Sequence, residues 1–189
     1  PENISVINYK EQYFIYKLCD FNVFTITKQF RYNGKMKETM EQFIKTKYIN
    51  YDFETKGKTK YNICFTNKKR KDINERYSYI YKGNKSFTNS KGLFSIGSPI
   101  INKKNKDGFK NNELFEIVDI NDDNINIVSK FDGVERKETI TKELLEKQFD
   151  LAFAITIHSC QGITIDCKFS ILEYNKMYFE LLYTGITRG

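Results

Sequence analysis

Residues 151–189 constrain the fold more than any other part of the chain. The segment opens with an apolar run, residues 151–157, which is typical of a buried strand, and His158, the only histidine, follows directly. Gly162 comes shortly after, where a glycine lets the backbone turn sharply and approach a ligand. If a helix begins there, its first N–H groups would favour an anion.

A second strand-like run, residues 169–172, leads into an amphipathic segment that ends at Arg188. This order predicts a strand–turn–helix unit, followed by a helix directed back to the same sheet edge. Ligands of open α/β sheets bind at the carboxyl ends of the strands, and the planar, permanently charged arginine fork suits phosphate. A bland alternative stays open for each residue: His158 as a capping or core residue, and Arg188 as a surface charge near a helix C-terminus.

Two stretches of this segment resemble motifs of superfamily 1 helicases. Residues 154–164, AITIHSCQGIT, look like motif V, and residues 181–189, LLYTGITRG, look like motif VI. Both have the family's order and roughly its separation. Gln161, rather than a lysine, precedes the glycine, which is similar to the RecD-like branch rather than the UvrD-like branch.

The resemblance implies that the motif V-like stretch touches two ligands. Contacts near the nucleotide are implied for Gln161, Gly162 and Thr164. Contacts with single-strand phosphates are implied for Thr156 and His158. The stretch would thereby connect an ATP site with a DNA site.

A second arginine, Arg31, follows a strand-like run at residues 22–27. An arginine just past a strand end suits phosphate, and a surface ion pair is the alternative. Residues 27–31, TKQFR, resemble motif IV. The resemblance implies that Arg31 and Arg188 reach the γ-phosphate of ATP, with Arg188 as the arginine finger.

Two helices and one further strand are predicted before residue 80. One helix runs from about residue 35 to 47, and residues 61–66 form a short buried strand. Asn67 is predicted as the N-cap of a second helix over residues 68–77. These residues are assigned structure rather than chemistry.

The periodicity changes at about Gly97, where three short alternating runs follow a basic loop. They cover residues 114–120, 124–131 and 134–140. Asp132-Gly133 is a strong hairpin signal, and successive short antiparallel strands in an α/β chain predict an inserted small barrel. The resemblance implies an SH3-like β-barrel here, although the family usually has a glycine where Asn112 or its neighbour stands.

The basic loop, residues 103–110, offers candidate contacts to a nucleic-acid backbone, above all Lys103 and Lys104. A solvated loop is the open alternative. The fold class is therefore α/β, a RecA-like parallel-sheet domain with an inserted small SH3-like β-barrel. The predicted parts are the end of a first RecA-like domain or a connecting helix, a second RecA-like domain in two pieces, and the barrel between them. They cover residues 1–21, 22–96 with 149–189, and 97–148.

The net charge of +7 favours a polyanionic partner, although heavy use of Lys, Asn, Ile and Tyr also fits the codon bias of an AT-rich genome, viral or protist. The four cysteines have no disulfide or zinc spacing, which indicates a reducing, intracellular setting, the host cytoplasm if the source is a virus. No apolar run reaches the ~20 residues of a membrane span, and no metal site is predicted.

No Walker A pattern, G-x-x-x-x-G-K-[ST], occurs in the sequence, and no acidic Walker B strand. ATP and Mg²⁺ would therefore be bound mainly by an upstream RecA-like domain of the same chain, and this segment alone should not hydrolyse ATP. The leading hypothesis is the C-terminal motor domain of an ATP-dependent DNA helicase that acts on single-stranded DNA or a fork, 5′ to 3′ by resemblance. The alternative is a non-catalytic nucleic-acid-binding module derived from such a motor.

Overall fold

The structure is a computed structural model that describes most of the chain in four stretches: residues 34–46, 59–131, 134–165 and 167–188. Two compact units divide it, Pro1–Gly57 and Lys58–Gly189. In the first unit the described residues form helix α1 (Gly34–Thr46), in which Met40 and Phe43 are buried. This confirms the predicted helix over about residues 35–47. The predicted strand at 22–27 and Arg31 lie outside the described residues.

The second unit alternates strands and helices around two main sheets. Its elements in chain order are β1 (Tyr61–Cys64), α2 (Asn67–Ile80), β2 (Ser86–Asn89), β3 (Gly92–Ser95), β4 (Pro99–Asn102), β5 (Leu114–Ile120), β6 (Asn124–Phe131), β7 (Val134–Thr141), α3 (Lys142–Gln148), β8 (Phe149–Leu151), β9 (Ala154–Thr156), β10 (Phe169–Ile171), a 3₁₀ turn (Tyr174–Lys176) and α4 (Phe179–Ile186). The mixture of a parallel sheet with antiparallel ones confirms the α/β class.

The parallel sheet has the order β10-β1-β9. Ile63 pairs with Ile155 on one side and Ile171 on the other. Since all three strands run in one direction, their carboxyl ends lie at a single edge of the sheet. Helix α4 packs closely here: a Cβ on Gly185 would lie 2.7 Å from the Cδ1 of Ile157 and 3.3 Å from that of Ile171.

Helix α2 runs back across this sheet. Thr66, not Asn67, is its N-cap, because the Thr66 hydroxyl accepts a hydrogen bond from the Lys69 amide at 3.2 Å. The predicted cap was therefore one residue too late. Asn74 is buried and fixes the helix on the sheet: its Nδ2 donates to the carbonyls of Leu151 and Ala154, and its Oδ1 accepts from the Ala154 amide at 2.8 Å.

The apolar run at 151–157 is two strands rather than one. Leu151 ends β8, which pairs antiparallel with β4, and Ala154 begins β9 in the parallel sheet. Ala152 and Phe153 lie between them and are buried. A continuous apolar run cannot show this change of sheet, because both strands are buried and the periodicity is lost.

The antiparallel sheet has the order β7-β6-β5-β4-β8. Strands β5, β6 and β7 confirm the three alternating runs predicted from sequence. No ladder within the described part of the chain joins β7 to β8, so these five strands form an open sheet and no closed barrel. Asn112 has a φ of 66°, the left-handed conformation that glycine takes most easily, at the point where the resembled family has a glycine.

A hairpin of β2 and β3 is an element that the sequence analysis did not identify. Its ring stack, Phe87 on Phe94 at 5.7 Å, packs into a core that also contains Phe149 and Phe153. The same core includes buried side chains of both main sheets, such as Ile117 and Ala154. A second buried cluster likewise joins Ile63 and Ile155 of the parallel sheet to Ile101 of the antiparallel sheet. The two sheets of the Lys58–Gly189 unit therefore share their apolar cores.

Candidate functional site

The carboxyl edge of the parallel sheet gathers most of the predicted site residues. β1 and β9 end there in register, Cys64 opposite Thr156, and the Ile157 amide donates to the Cys64 carbonyl at 2.9 Å. Strand β9 is followed by turns through Gly162, and residues 163–165 after it form no helix or strand. The helix expected after Gly162 was therefore wrong over the described residues, and no helix N-terminus faces a ligand at this point.

The turn after β9 is fixed by short-range hydrogen bonds. The Thr156 hydroxyl bonds to the Ser159 hydroxyl at 3.0 Å, and the Cys160 amide donates to the Thr156 carbonyl at 3.1 Å. Gly162 takes a φ of 81°, and a Cβ there would meet no atom within 4 Å. Glycine is needed at this position for its backbone conformation and not for space.

The predicted residues around this turn differ in exposure. Thr156 is buried, whereas His158, Gln161 and Thr164 are exposed. Thr164 lies away from the turn, on the wall of a groove of about 650 Å³ between this sheet and strands of the antiparallel sheet. The exposed side chains can meet a ligand without rearrangement, while Thr156 can offer only what its local hydrogen bonds leave accessible.

Arg188 lies beside the same turn. Its Nε donates to the Thr184 carbonyl at 2.9 Å, and Nη1 is 3.5 Å from the Ile163 carbonyl oxygen. A backbone hydrogen bond also joins the two segments, because the Ile165 amide donates to the Arg188 carbonyl at 2.7 Å. The structure thus brings the motif V-like and motif VI-like stretches together. Arg31 lies outside the described residues, so convergence of the two arginines stays a prediction.

The pKa of the Cys160 thiol depends on its burial and on the nearby charge of Arg188. Burial raises the pKa of the Cys160 thiol to about 11, and the nearby Arg188 guanidinium opposes that rise. The thiol is wholly buried and donates to the Ile157 carbonyl at 2.9 Å. Cys160 is therefore a neutral packing residue at pH 7 and no nucleophile.

Glu173 is a residue of this edge that the sequence analysis missed. It follows β10, and its carboxylate accepts hydrogen bonds from the Thr66 amide at 2.9 Å, from the Thr66 hydroxyl and from Lys176 Nζ at 2.9 Å. Burial by itself would raise the pKa of Glu173, but these hydrogen bonds outweigh it and hold the pKa at about 2. The N-terminus of α2 is thus occupied by the protein's own carboxylate. A carboxylate directly after a predicted strand was the available signal.

The two candidate lysines of the basic loop differ in exposure. Lys104 is exposed, whereas Lys103 is partly buried and donates from Nζ to Asn112 Oδ1 at 3.1 Å. Asn102, which is wholly buried, ties the loop together by donating to the Lys110 carbonyl at 2.8 Å. Gln148 Nε2 also donates to Asp107 of this loop. The loop is therefore held against the antiparallel sheet.

Within the described ranges, no helix is long and apolar enough to cross a membrane. No group of three His, Cys, Asp or Glu residues among the same residues could hold a metal ion. The site consists of hydroxyl, amide and cationic groups at a strand edge, which suit an anionic ligand.

The parallel sheet, its crossing helix and the attached antiparallel sheet form an α/β fold that is also found in solved structures of Pif1 helicases. The Pif1 helicase from Candida albicans superposes with a TM-score of 0.57 and 12% identity, over 85% of this chain and 52% of that one.

Two other Pif1 structures cover nearly the whole chain. One, on DNA unwinding at forked double-stranded DNA by two coordinating Pif1 helicases, has a TM-score of 0.54 at 17% identity and covers 97% of this chain and 55% of that one. The other, Pif1 helicase from Bacteroides in complex with ADP-AlF3 and single-stranded DNA, has a TM-score of 0.52 at 16% identity over 97% and 57%.

The chain spans about half the length of these Pif1 structures. No family model and no curated protein matches the sequence. At these identities the likeness establishes the fold.

Proposed function

We propose that this chain is the second motor domain of an ATP-dependent superfamily 1 DNA helicase. It would supply arginines to ATP bound against another RecA-like domain, and it would grip single-stranded DNA. The observation that supports this most strongly is the contact between Arg188 and the turn that contains Gly162, joined by the hydrogen bond from the Ile165 amide to the Arg188 carbonyl at 2.7 Å.

Arg188 suits the role of an arginine finger because its guanidinium donates to carbonyl and hydroxyl oxygens of its own helix, Thr184 and Thr187. A γ-phosphate carries more negative charge than these neutral acceptors, so a rotation of the side chain toward phosphate would gain electrostatic energy. Arg31 would be its partner on the same ligand. Such groups are typically worth ~10³–10⁵ in turnover.

Nucleic-acid contact is proposed for the exposed side of the same edge. His158 and the Thr156 backbone would contact strand phosphates, Gln161 and Gly162 would lie toward the nucleotide, and the turn between them would couple the two. A change in the position of Arg188 would be transmitted through the Ile165–Arg188 hydrogen bond to that turn.

Mg²⁺ does not fit the described residues, since they include no cluster of metal-ligating side chains. ATP hydrolysis would require a domain that carries Walker A and Walker B residues, and the bulk of the ATP site would lie there. On the sequence resemblance alone, we propose the RecD-like branch, 5′ to 3′ travel and an SH3-like identity for the inserted antiparallel sheet, which is open in the structure. The spacing of the cysteines is the basis for proposing an intracellular location.

Arg188→Ala in the full-length protein tests the proposal. DNA-stimulated ATP turnover should fall by ~10³-fold or more, while binding to a single-stranded oligonucleotide stays within about two-fold. Arg188→Lys, which keeps the charge but loses the planar fork, is the matched control and should recover only a small part of the rate. Unchanged turnover in Arg188→Ala would remove Arg188 from the ATP site. A full-length protein that binds DNA but hydrolyses no ATP would favour the non-catalytic binding module.

A further inference from the structure

Two cations pair with a single carboxylate beside helix α2, and a third lies nearby. Arg70 Nη1 lies 3.7 Å and Lys91 Nζ 3.0 Å from the carboxylate oxygens of Asp150. Lys103 is the third cation: its amide donates to the carbonyl of Gln148, two residues before Asp150, at 2.8 Å, and its Nζ donates to Asn112 Oδ1. We call the three cations and Asp150 the Asp150 cluster. They come from α2, the β2–β3 turn, the start of the basic loop and β8.

The cluster carries more positive than negative charge at partial burial. The side chains of Arg70, Lys91 and Asp150 are only 20%, 29% and 27% exposed. Burial lowers the pKa of Lys103; Asp150 opposes this, and Arg70 lowers the pKa further. No other carboxylate in the described part of the chain forms an ion pair with any of the three cations. A second anion would therefore be stabilised here.

The charges of the first turn of α2 also favour an external anion beside the cluster. Four consecutive cations, residues 68–71, occupy it, and it contains no acidic residue. Cations at a helix N-terminus oppose the helix dipole, so this sequence does not serve the stability of the helix. The helix N–H groups are not the binding site, because Glu173 and the Thr66 hydroxyl already accept from Thr66 and Lys69. Any external anion must be held by the side chains.

The cluster lies close to the edge where strand contact is proposed. Helix α2 starts just past the carboxyl end of β1 and reaches the amino end of β9 at Asn74, which bonds to Ala154. Arg70 lies one helical turn, about 6 Å, closer to the carboxyl edge. The two residues from Ala154 to Thr156 span about 7 Å in the same direction. Arg70 therefore stands at about the level of Thr156.

We propose that Arg70, Lys91 and Lys103 together bind one backbone phosphate of the nucleic-acid strand whose neighbouring phosphates lie at Thr156 and His158. The inference rests on the proposed function, because it extends the same strand path. Arg70 supplies the planar fork, and the two lysines supply point charges. Asp150 holds the cations in place and competes with the phosphate for them.

The test measures binding of the 189-residue chain to a labelled single-stranded oligonucleotide of about 12 nucleotides over a range of salt concentrations. Arg70→Gln, Lys91→Gln and Lys103→Gln should each weaken binding by roughly five-fold at low salt. The triple variant should make the negative slope of log K against log salt shallower by about 0.7, the value for one phosphate contact. Lys137→Gln, an exposed lysine on β7 paired with Glu135 at 2.9 Å, removes the same charge elsewhere and should leave the slope unchanged.

Asp150→Asn should change the affinity for the strand in the opposite direction. Removing the competing carboxylate should tighten strand binding by several-fold even though the fold loses two ion pairs. Glu143→Gln, which makes the same charge change on α3, should tighten it far less. Should a glutamine variant fail to fold by circular dichroism, Asp150→Asn still decides the matter, since it removes the competing carboxylate and leaves all three cations in place.

The results distinguish a failure of the proposed function from a failure of the Asp150-cluster inference. If the unaltered chain does not bind the strand, the proposed function fails. If it binds, and His158→Ala weakens binding while the three glutamine variants and Asp150→Asn behave like their controls, the cluster is structural and this inference alone is overturned. Inorganic phosphate in a parallel competition should displace nothing at concentrations where the oligonucleotide binds, because the site takes one phosphate of a longer strand. Displacement would instead assign a free-phosphate site.

Discussion

At the scale of single residues, Gly185 decides how close helix α4 approaches the end of β9. A Cβ at this position would lie 2.7 Å from the Cδ1 of Ile157, which is wholly buried and cannot rotate into open space. We expect Gly185→Ala to destabilise the fold by about 1–2 kcal/mol, because the clash outweighs the gain of about 1 kcal/mol in helix propensity. The midpoint of urea unfolding, measured by circular dichroism, is the readout.

Ile157→Val provides the control for that prediction, because it deletes the methyl group that a Cβ would meet. Alone it should cost about 0.5–1.5 kcal/mol. In the Ile157→Val background, Gly185→Ala should become neutral or stabilising, which is a coupling that distant sites do not show. Additive effects of the two changes would mean that the space at Gly185 does not matter. The nearby Gly162 differs, since its φ of 81° and open surroundings make backbone conformation the constraint.

At the scale of elements, Glu173 joins the end of β10 to the start of α2 through Thr66. Its pKa in the folded state, about 2, lies below the ordinary 4.5. The stabilisation is therefore complete above pH 4.5 and is lost as the pH falls from there through about 2. We expect the unfolding midpoint in urea to fall across this window, and Glu173→Gln to flatten that fall. Lys176→Met, which removes one of the donors, should flatten it in part.

The elements also show how far sequence patterns reach. The alternating runs of β5, β6 and β7 were predicted almost to the residue, because period-two alternation and Asp132-Gly133 are local signals. The change of sheet at Ala152-Phe153 was not, since both flanking strands are buried and the difference depends on partners elsewhere in the chain. The N-cap was predicted at Asn67 instead of Thr66 because both residue types cap well, and only the fold shows that the Lys69 amide donates to the Thr66 hydroxyl.

In the candidate site, too, residues in a contiguous motif could be predicted from sequence, whereas residues brought together by the fold could not. Gly162 and Arg188 were predicted from sequence because each belongs to a contiguous motif, and the structure places the Arg188 side chain beside the Ile163 carbonyl. The Asp150 cluster could not be found this way. Its cations, Arg70, Lys91 and Lys103, are far apart in sequence and look like ordinary surface charges until the fold pairs Arg70 and Lys91 with one carboxylate.

At the scale of the molecule, the shared core implies that the two main sheets of the Lys58–Gly189 unit unfold together. Phe149 packs with Phe109 at 5.3 Å beside the antiparallel sheet, and Phe153 packs with Tyr77 at 6.3 Å under α2. The two rings belong to one continuous cluster and are four residues apart. We expect Phe149→Ala and Phe153→Ala each to cost about 3–5 kcal/mol and to destabilise both sheets.

Native-state hydrogen exchange distinguishes this cooperative core from two independent layers. In the unaltered chain, the slowest amides of β5–β6 and of β1 should report one common free energy of opening. Phe149→Ala should lower both by the same amount, although its ring contacts lie on the antiparallel side. Loss of protection confined to β5–β6 would instead make the antiparallel sheet a separately folding insertion. A common loss would show that the two sheets open as one cooperative unit.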